Sequence, residues 1–172
     1  MEHQLYSKWV FWFDGFSNKT QGSYGANIVE MGDVTTAETF WGVYDAIPLL
    51  SKMENGSDVS LFKKGIKPIW EDDMNVGGGR VQIILIGANW ESTQKYWRDV
   101  LLTLIGETMP DPEYVNGVAF SVRQHCKISV WVEAKGQSVV KNIAKKLKEI
   151  VNIEGATVMY YPHDSTLEPI IC

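Results

Sequence analysis

The stretch GVAFSVRQHCKISVWV, residues Gly117–Val132, alternates twice around a short turn. Successive side chains of a strand point to opposite faces, so Val118, Phe120 and Val122 share one side and Ala119, Ser121 and Arg123 the other. After Gln124-His125-Cys126, the residues Ile128, Val130 and Val132 repeat the apolar side, while Lys127, Ser129 and Trp131 repeat the second. The pattern predicts a hairpin with one dry face and one polar face. A sheet built on it needs helices over the dry face and leaves the other free for a ligand. A three-residue turn sets Arg123 directly opposite Lys127, where like charges destabilise a ladder. Either both long chains splay into solvent, or an anion lies between them, Arg holding phosphate as a fork and Lys as a point charge. Trp131 on the same face favours the anion, because a ring there must cover something.

Upstream, Trp9–Phe13 reads as a first strand, ended by Asp14-Gly15. A polar loop, Ser17–Ser23, leads to a second extended stretch, Tyr24–Glu30, closed by Gly32-Asp33. Thr35-Thr36-Ala37-Glu38 forms a capping box that opens a helix to about Ile47, and Pro48 stops it. Phe40, Val43, Tyr44 and Ile47 fall on one face of that helix and Trp41 lies off it. Val59–Phe62 is a short strand, and Lys63-Lys64-Gly65 turns the chain toward Pro68-Ile69-Trp70-Glu71. An acidic, Gly-rich loop, Asp72–Gly79, precedes the strand Arg80–Ile86. Ser92 caps a second helix to about Glu107, with Tyr96, Trp97, Val100, Leu101 and Leu104 as its core stripe. Leu102 falls nearly opposite that stripe and Ile105 to one side of it.

Beyond the hairpin, a third helix over Ser138–Val151 turns Val140, Ile143, Ala144, Leu147 and Ile150 inward. It leaves Lys141, Lys145, Lys146 and Lys148 to solvent. Thr157–Tyr161 is the last expected strand. The order predicts an α+β fold: a single domain over residues 1–172, with a curved, mostly antiparallel sheet and its helices packed on one face.

The 172 residues suit one substantial core. The longest apolar runs, Ile83–Ile86 and Val100–Leu102, are too short to cross a bilayer. The start, Met1-Glu2-His3-Gln4, has neither the basic nor the apolar region of a secretory signal. Cys126 and Cys172 do not make a disulfide scaffold, so a reducing compartment is expected. A net charge of −5 argues against coating nucleic acid by general phosphate attraction, and confines any RNA contact to a few basic residues around one small group. Seven tryptophans exceed what such a core needs, so some belong to a ligand or partner surface.

Trp70-Glu71 suits a narrow chemistry. Guanine presents two adjacent donors on its Watson–Crick edge, and one carboxylate accepts both. Methylation at N7 makes the base cationic, which adds cation–π attraction to stacking between aromatic faces. Stacking alone is worth about 1–3 kcal/mol per base.

These residues carry a resemblance. Trp9-x-x-Trp12-Phe13, Ala26-Asn27, Phe40-Trp41-x-x-Tyr44 and Ser60-Leu61-Phe62-Lys63-x-Gly65-Ile66-x-Pro68-Ile69-Trp70-Glu71-Asp72 stand in order. Gly78-Gly79-Arg80, Leu104-Ile105-Gly106-Glu107, Val122-Arg123 and Lys127-Ile128-x-Val130-Trp131 follow. From His3 to His163 the chain resembles the mRNA cap-binding translation initiation factor 4E family. The resemblance implies a cupped antiparallel sheet with three long helices on its convex face. It implies that Tyr24 and Trp70 sandwich 7-methylguanine, that Glu71 accepts from the base edge, and that Trp131 covers the N7 methyl. Arg123 and Lys127 would hold the phosphates, with Arg80 helping.

A dorsal surface is implied as well, where a scaffold initiation factor or regulatory protein docks a Tyr-x-x-x-x-Leu-φ helix. The matching positions are His3, Gln4, Leu5, Ala37, Trp41, Arg98, Asp99, Leu102, Ile105 and Gly106, with the arm 1–7 taking part. The tail 162–172 is expected to be flexible. Tyr24 stands where the commonest members carry Trp, which implies an affinity lower by about 1 kcal/mol. Gln4 replaces a proline and Arg98 an apolar residue, and the turn from Arg123 to Lys127 is one residue shorter and lacks a second lysine.

The expected function is cap binding and recruitment of the translation-initiation machinery by a cytoplasmic monomer, some of it nuclear, without cofactor, metal, catalysis or membrane contact. One rival is a cap-binding repressor that engages other partners. A second is a nucleotide-processing enzyme using Glu71, Asp72 and Asp73, although no ligand spacing, nucleophile elbow or P-loop lysine supports it. A third is a protein-interaction module without nucleotide binding.

Overall fold

Strand alternation and helical stripes assemble into one sheet and three helices. The computed structural model describes residues 1–15, 28–133 and 135–172. Its strands are β1 (Gln4–Asp14), β2 (Val29–Thr36), β3 (Asp58–Lys63), β4 (Gly79–Ile84), β5 (Val115–Ser121), β6 (Lys127–Val132), β7 (Val158–Pro162) and β8 (Ile170–Ile171). Helices α1 (Ala37–Ala46), α2 (Trp90–Ile105) and α3 (Gln137–Ile150) pack on one side of the curved sheet. The strand order is β2-β1-β3-β5-β6-β4-β7-β8, antiparallel throughout the recorded pairings.

The dry face is laid down in rows across the strands. Phe11, Leu61, Val118, Val130 and Val81 stand side by side, and Val59, Phe120, Ile128, Ile83 and Val158 form the next row. All ten are fully buried. Phe40 of α1 lies 5.8 Å from Phe11, and Trp97 of α2 lies 5.6 Å from Phe120. Val140, Ile143, Ala144 and Leu147 of α3 complete the same core. Each large side chain contributes about 1.5–3 kcal/mol through removal from water, so the helical stripes and the strand alternation stabilise one another.

Several boundaries differ from the sequence reading, each for a local reason. The second strand was expected over Tyr24–Glu30, ending at Gly32-Asp33; instead β2 runs straight through both residues. Gly32 marks close packing, because a Cβ there would stand 2.8 Å from Val43 Cγ2 of α1. Beside it the ladder with β1 shifts register, since Phe11 pairs Gly32 and Trp12 pairs Glu30. The capping box is one residue later than expected. Thr36 is the N-cap, its hydroxyl accepting from Thr39 N at 3.0 Å, and Thr39 Oγ1 accepts from Thr36 N at 2.9 Å. Helix α2 is capped by Asn89 rather than Ser92, whose backbone N–H donates to Asn89 Oδ1 at 2.8 Å.

On α2 the stripe also rotates slightly. Tyr96 is only half-buried, while Ile105, read as lying beside the core stripe, is 7% exposed. The hairpin register differs too, for Lys127 faces Ser121 and not Arg123. Finally, the segment read as a tail ends in β8, which pairs with β7 through Met159–Ile171 and Tyr160–Ile170. Two residues are too few for a periodic signal.

Candidate functional site

Register makes the open face of the sheet into three rows with different chemistry. Val10, Phe62, Gly117, Trp131, Arg80 and Tyr161 form the first. Trp12, Ser60, Ala119, Ser129, Gln82 and Met159 form the second. Asp14, Asp58, Ser121, Lys127 and Ile84 form the third. The face therefore grades from aromatic, through small and polar, to charged. Asp14, Asp58, Ser60, Arg80, Gln82, Ser121, Arg123, Lys127, Ser129 and Trp131 line one cleft, with Pro68, Phe13, Ile28 and Ala119. Three cations against two carboxylates give the described lining a positive balance in a chain whose net charge is −5.

At the aromatic end, Trp131 is 8% exposed and stands edge-on to Phe62 at 5.3 Å. Gly117 between them makes that contact possible, since a Cβ there would lie 2.4 Å from Phe62 Cγ. His163 flanks Trp131 at 4.4 Å, and its buried Nε2 has no partner among the described residues. Burial, with the Arg80 charge as a second cause, holds His163 down to about 4. The Arg80 guanidinium lies 5.7 Å over the Tyr161 ring, and among the described residues its buried Nε is likewise without a partner. Unpaired buried polar atoms are uncommon, and the Trp9 and Trp12 indole N–H groups share the condition.

At the charged end, Arg123 is fixed by protein groups. Its Nη2 donates to both oxygens of Asp58 at 3.1 Å, and its Nη1 donates to Val122 O at 2.8 Å and Ser57 O at 3.1 Å. The expected repulsion between Arg123 and Lys127 is thus eased by register and by Asp58. The Lys127 side chain has no hydrogen bond or ion pair recorded among the described residues.

Trp70 and Glu71 sit on the loop between β3 and β4, and both are exposed, Trp70 by 51%. Pro68 brings this loop to the cleft, whereas Trp70 and Glu71 are not part of its lining. The loop is clamped from beneath. Asp72 accepts from Lys67 N at 2.9 Å and Met74 N at 3.0 Å. The buried Asn75 donates to Lys67 O at 2.9 Å and Ile69 O at 2.8 Å, and Asn116 of β5 donates to Met74 O and Asn75 Oδ1. Asp72 is therefore a loop brace. No group of three or more His, Cys, Asp or Glu able to hold a metal occurs among the described residues.

The structure thus brings Arg80, Arg123, Lys127 and Trp131 together and places Trp70 and Glu71 on the exposed loop whose Pro68 reaches the cleft. Tyr24 lies outside the described residues. Sequence reasoning missed Asp58, Ser60 and Gln82. Arg80-Val81-Gln82-Ile83 alternates polar and apolar, and that pattern was the available signal for Gln82.

On the opposite side, β1 begins as an arm across the helices. The His3 backbone N–H donates to Glu38 Oε2 at 3.0 Å, its ring Nδ1 lies 2.5 Å from Glu38 Oε1, and Ala37 N donates to His3 O at 2.9 Å. Hydrogen bonds from His3 hold the Glu38 carboxyl down to about 2. Further along the arm, Ser7 Oγ donates to Glu107 Oε1 at 2.7 Å. Gln4 pairs with Thr36, Leu5 packs on the core, and Trp41 stays 39% exposed with its edge on Phe40 and Tyr44. On α2, Asp99 is shared by Lys95 and Arg98, Leu102 is half-buried, and Gly106 is exposed.

Comparison with known proteins is consistent with both surfaces. Residues 4–169 match the family model for eukaryotic initiation factor 4E. The translation initiation factor isoform 4E of Arabidopsis thaliana is 33% identical over 168 residues, covering 95% of this chain and 84% of that protein. Ascaris suum eIF4E-3, solved with the m7G cap and again with the m2,2,7G cap, superposes with a TM-score of 0.89 at 31% identity. It covers 99% of this chain and 98% of its own. C. elegans eIF4E-3 in complex with the 4E-binding protein Mextli gives a TM-score of 0.89 at 28% identity, with both chains covered fully.

Proposed function

The chain belongs to the eukaryotic initiation factor 4E family, and from that premise we propose that its cleft holds the 7-methylguanosine cap of mRNA while its helical side recruits the initiation machinery. The observation that carries this reading is the graded open face, aromatic at Trp131 with Arg80 beside it, polar along Ser60, Ser129 and Gln82, and charged at Lys127 and Arg123. Such a gradient fits a cationic base joined to a phosphate chain and little else. Trp70 stacks on the base with Tyr24 as the opposing ring, Glu71 accepts from the base edge, and Trp131 meets the N7 methyl. Lys127, Arg123 and Arg80 neutralise the phosphates.

The dorsal partner is a Tyr-x-x-x-x-Leu-φ helix laid against His3, Gln4, Leu5, Ala37, Trp41, Arg98, Asp99, Leu102, Ile105 and Gly106. The exposed Trp41 indole and the half-buried Leu102 supply apolar area for it, and the C. elegans neighbour is solved with a 4E-binding protein. Quenching of tryptophan fluorescence by 7-methyl-GTP and by GTP tests the cap site directly. Binding should favour the methylated nucleotide, weaken with salt, and fall about 10–100-fold in Trp70→Ala. Equal affinity for both nucleotides refutes the sandwich.

A further inference from the structure

The middle row of the cleft contains a polar pair that the packing of the sheet does not require. Gln82 is 7% exposed, Ser129 4% and Ser60 5%. Gln82 and Ser129 are direct cross-strand partners, and the Ser129 hydroxyl donates to Gln82 Oε1 at 3.1 Å. That bond uses the amide oxygen, leaving a nitrogen with two hydrogens. No partner of this nitrogen is recorded among the described residues, and Gln82 lines the cleft. The nitrogen is thus presented to the open cleft, whereas an apolar residue of the same size would fill the position without offering a hydrogen bond. A donor retained there has its acceptor elsewhere.

Position identifies that acceptor. Gln82 lies two residues along β4 from Arg80 and two from Ile84, whose partner across the ladder is Lys127. The middle row therefore stands about 7 Å from each neighbouring row. A ligand with its base against Trp131 and its terminal phosphates at Lys127 must lay its first phosphate over this row. Ser60 and Ala119 are small enough to keep the floor low beneath it.

Resting on the cap-binding reading, we propose that Gln82, oriented by Ser129, contacts the ligand by donating an amide hydrogen to the phosphate nearest the ribose. Ser129 is a positioning residue in this arrangement, because it fixes which end of the amide faces the cleft.

The test is a titration series with 7-methylguanosine and its 5′-mono-, di- and triphosphates against wild type, Gln82→Leu and Ser129→Ala. Gln82→Leu should weaken all three phosphorylated ligands by one common factor of about ten, the worth of a hydrogen bond to a charged acceptor, and leave the nucleoside unchanged. Ser129→Ala should show the same pattern with a smaller factor. Three outcomes overturn the proposal: no loss with any ligand, a loss shared by the nucleoside, or a loss confined to the triphosphate. Thermal melts without ligand verify the fold, and Gln82→Met replaces Gln82→Leu if the leucine variant does not fold. Failure of the cap reading is separately visible, as a wild type that does not prefer methylated nucleotide to GTP.

Discussion

The two faces of the central strands are one residue apart in sequence and follow opposite rules. Toward the helices, Leu61, Val118, Phe120, Ile128 and Val130 are interchangeable in kind, fully buried, and judged only by the volume they fill. Toward the cleft, Ser60, Gln82, Ser121, Lys127 and Trp131 differ from row to row, and Arg80 and Gln82 keep polar atoms without partners among the described residues. Stability lives on the first face and recognition on the second. Period-two alternation lets one set of strands carry both, since a substitution on either face leaves the other in place.

Neighbouring substitutions test that separation most strongly. Phe120→Ala should lower the free energy of unfolding by about 3–5 kcal/mol, whereas Ser121→Ala should stay within about 0.5 kcal/mol. Chemical denaturation measures both, and similar losses would break the contrast between the faces. Gly117→Ala crosses the boundary. Its Cβ must push Phe62 away from Trp131, so stability should fall by about 1–3 kcal/mol, and the near-ultraviolet signal of Trp131 should change with it. An unchanged spectrum would show that the aromatic row tolerates the methyl.

On the cleft side alone, Lys127→Ala should reduce affinity for 7-methyl-GTP about tenfold and flatten its salt dependence, with the melting temperature unmoved. A lower melting temperature would assign Lys127 to stability after all. The smallest effect concerns His163. Its folded value, about 4, lies below the ordinary 6.5, so the unfolded chain takes up the extra proton between those values. The stability contributed by the neutral ring is complete above about 6.5 and declines as pH falls through the window toward 4. Denaturation midpoints at pH 7 and pH 4.5 should differ more in wild type than in His163→Gln; an identical difference would sink this assignment.

Much of this division was legible in the residues. Alternation over Gly117–Val132 separated the faces correctly, and it put Trp131 and Lys127 on the open one. Helical stripes found Phe40, Trp97 and Leu147, because a buried face repeats over several turns. What escaped was set by contacts distant in sequence. The register that pairs Lys127 with Ser121 depends on how the turn closes, and the pairing of Arg123 with Asp58 joins residues 65 positions apart. Asp72 looked like part of an acidic cluster because its bonds go to backbone amides, which a list of side chains does not reveal. Gly32 looked like a turn because the sequence does not show that α1 passes over it. The Trp70-Glu71 pair was legible as chemistry, while the Asn75 and Asn116 clamp beneath it was not.

Strand β1 deserves a mechanical reading. It begins at Gln4, beside the anchors of His3 on α1, and ends at Asp14 in the charged row of the cleft. Its 11 residues span about 36 Å, and over Trp9–Phe13 it has β2 on one side and β3 on the other. A pull applied at the arm runs parallel to the ladder, loading β1 in shear, so that many hydrogen bonds resist together instead of opening in turn. If a protein hangs from the arm while an RNA end is held in the cleft, the same strand lies along the line of tension between them. The chain then behaves as a tie rod, stiff along the direction in which its two loads are drawn apart.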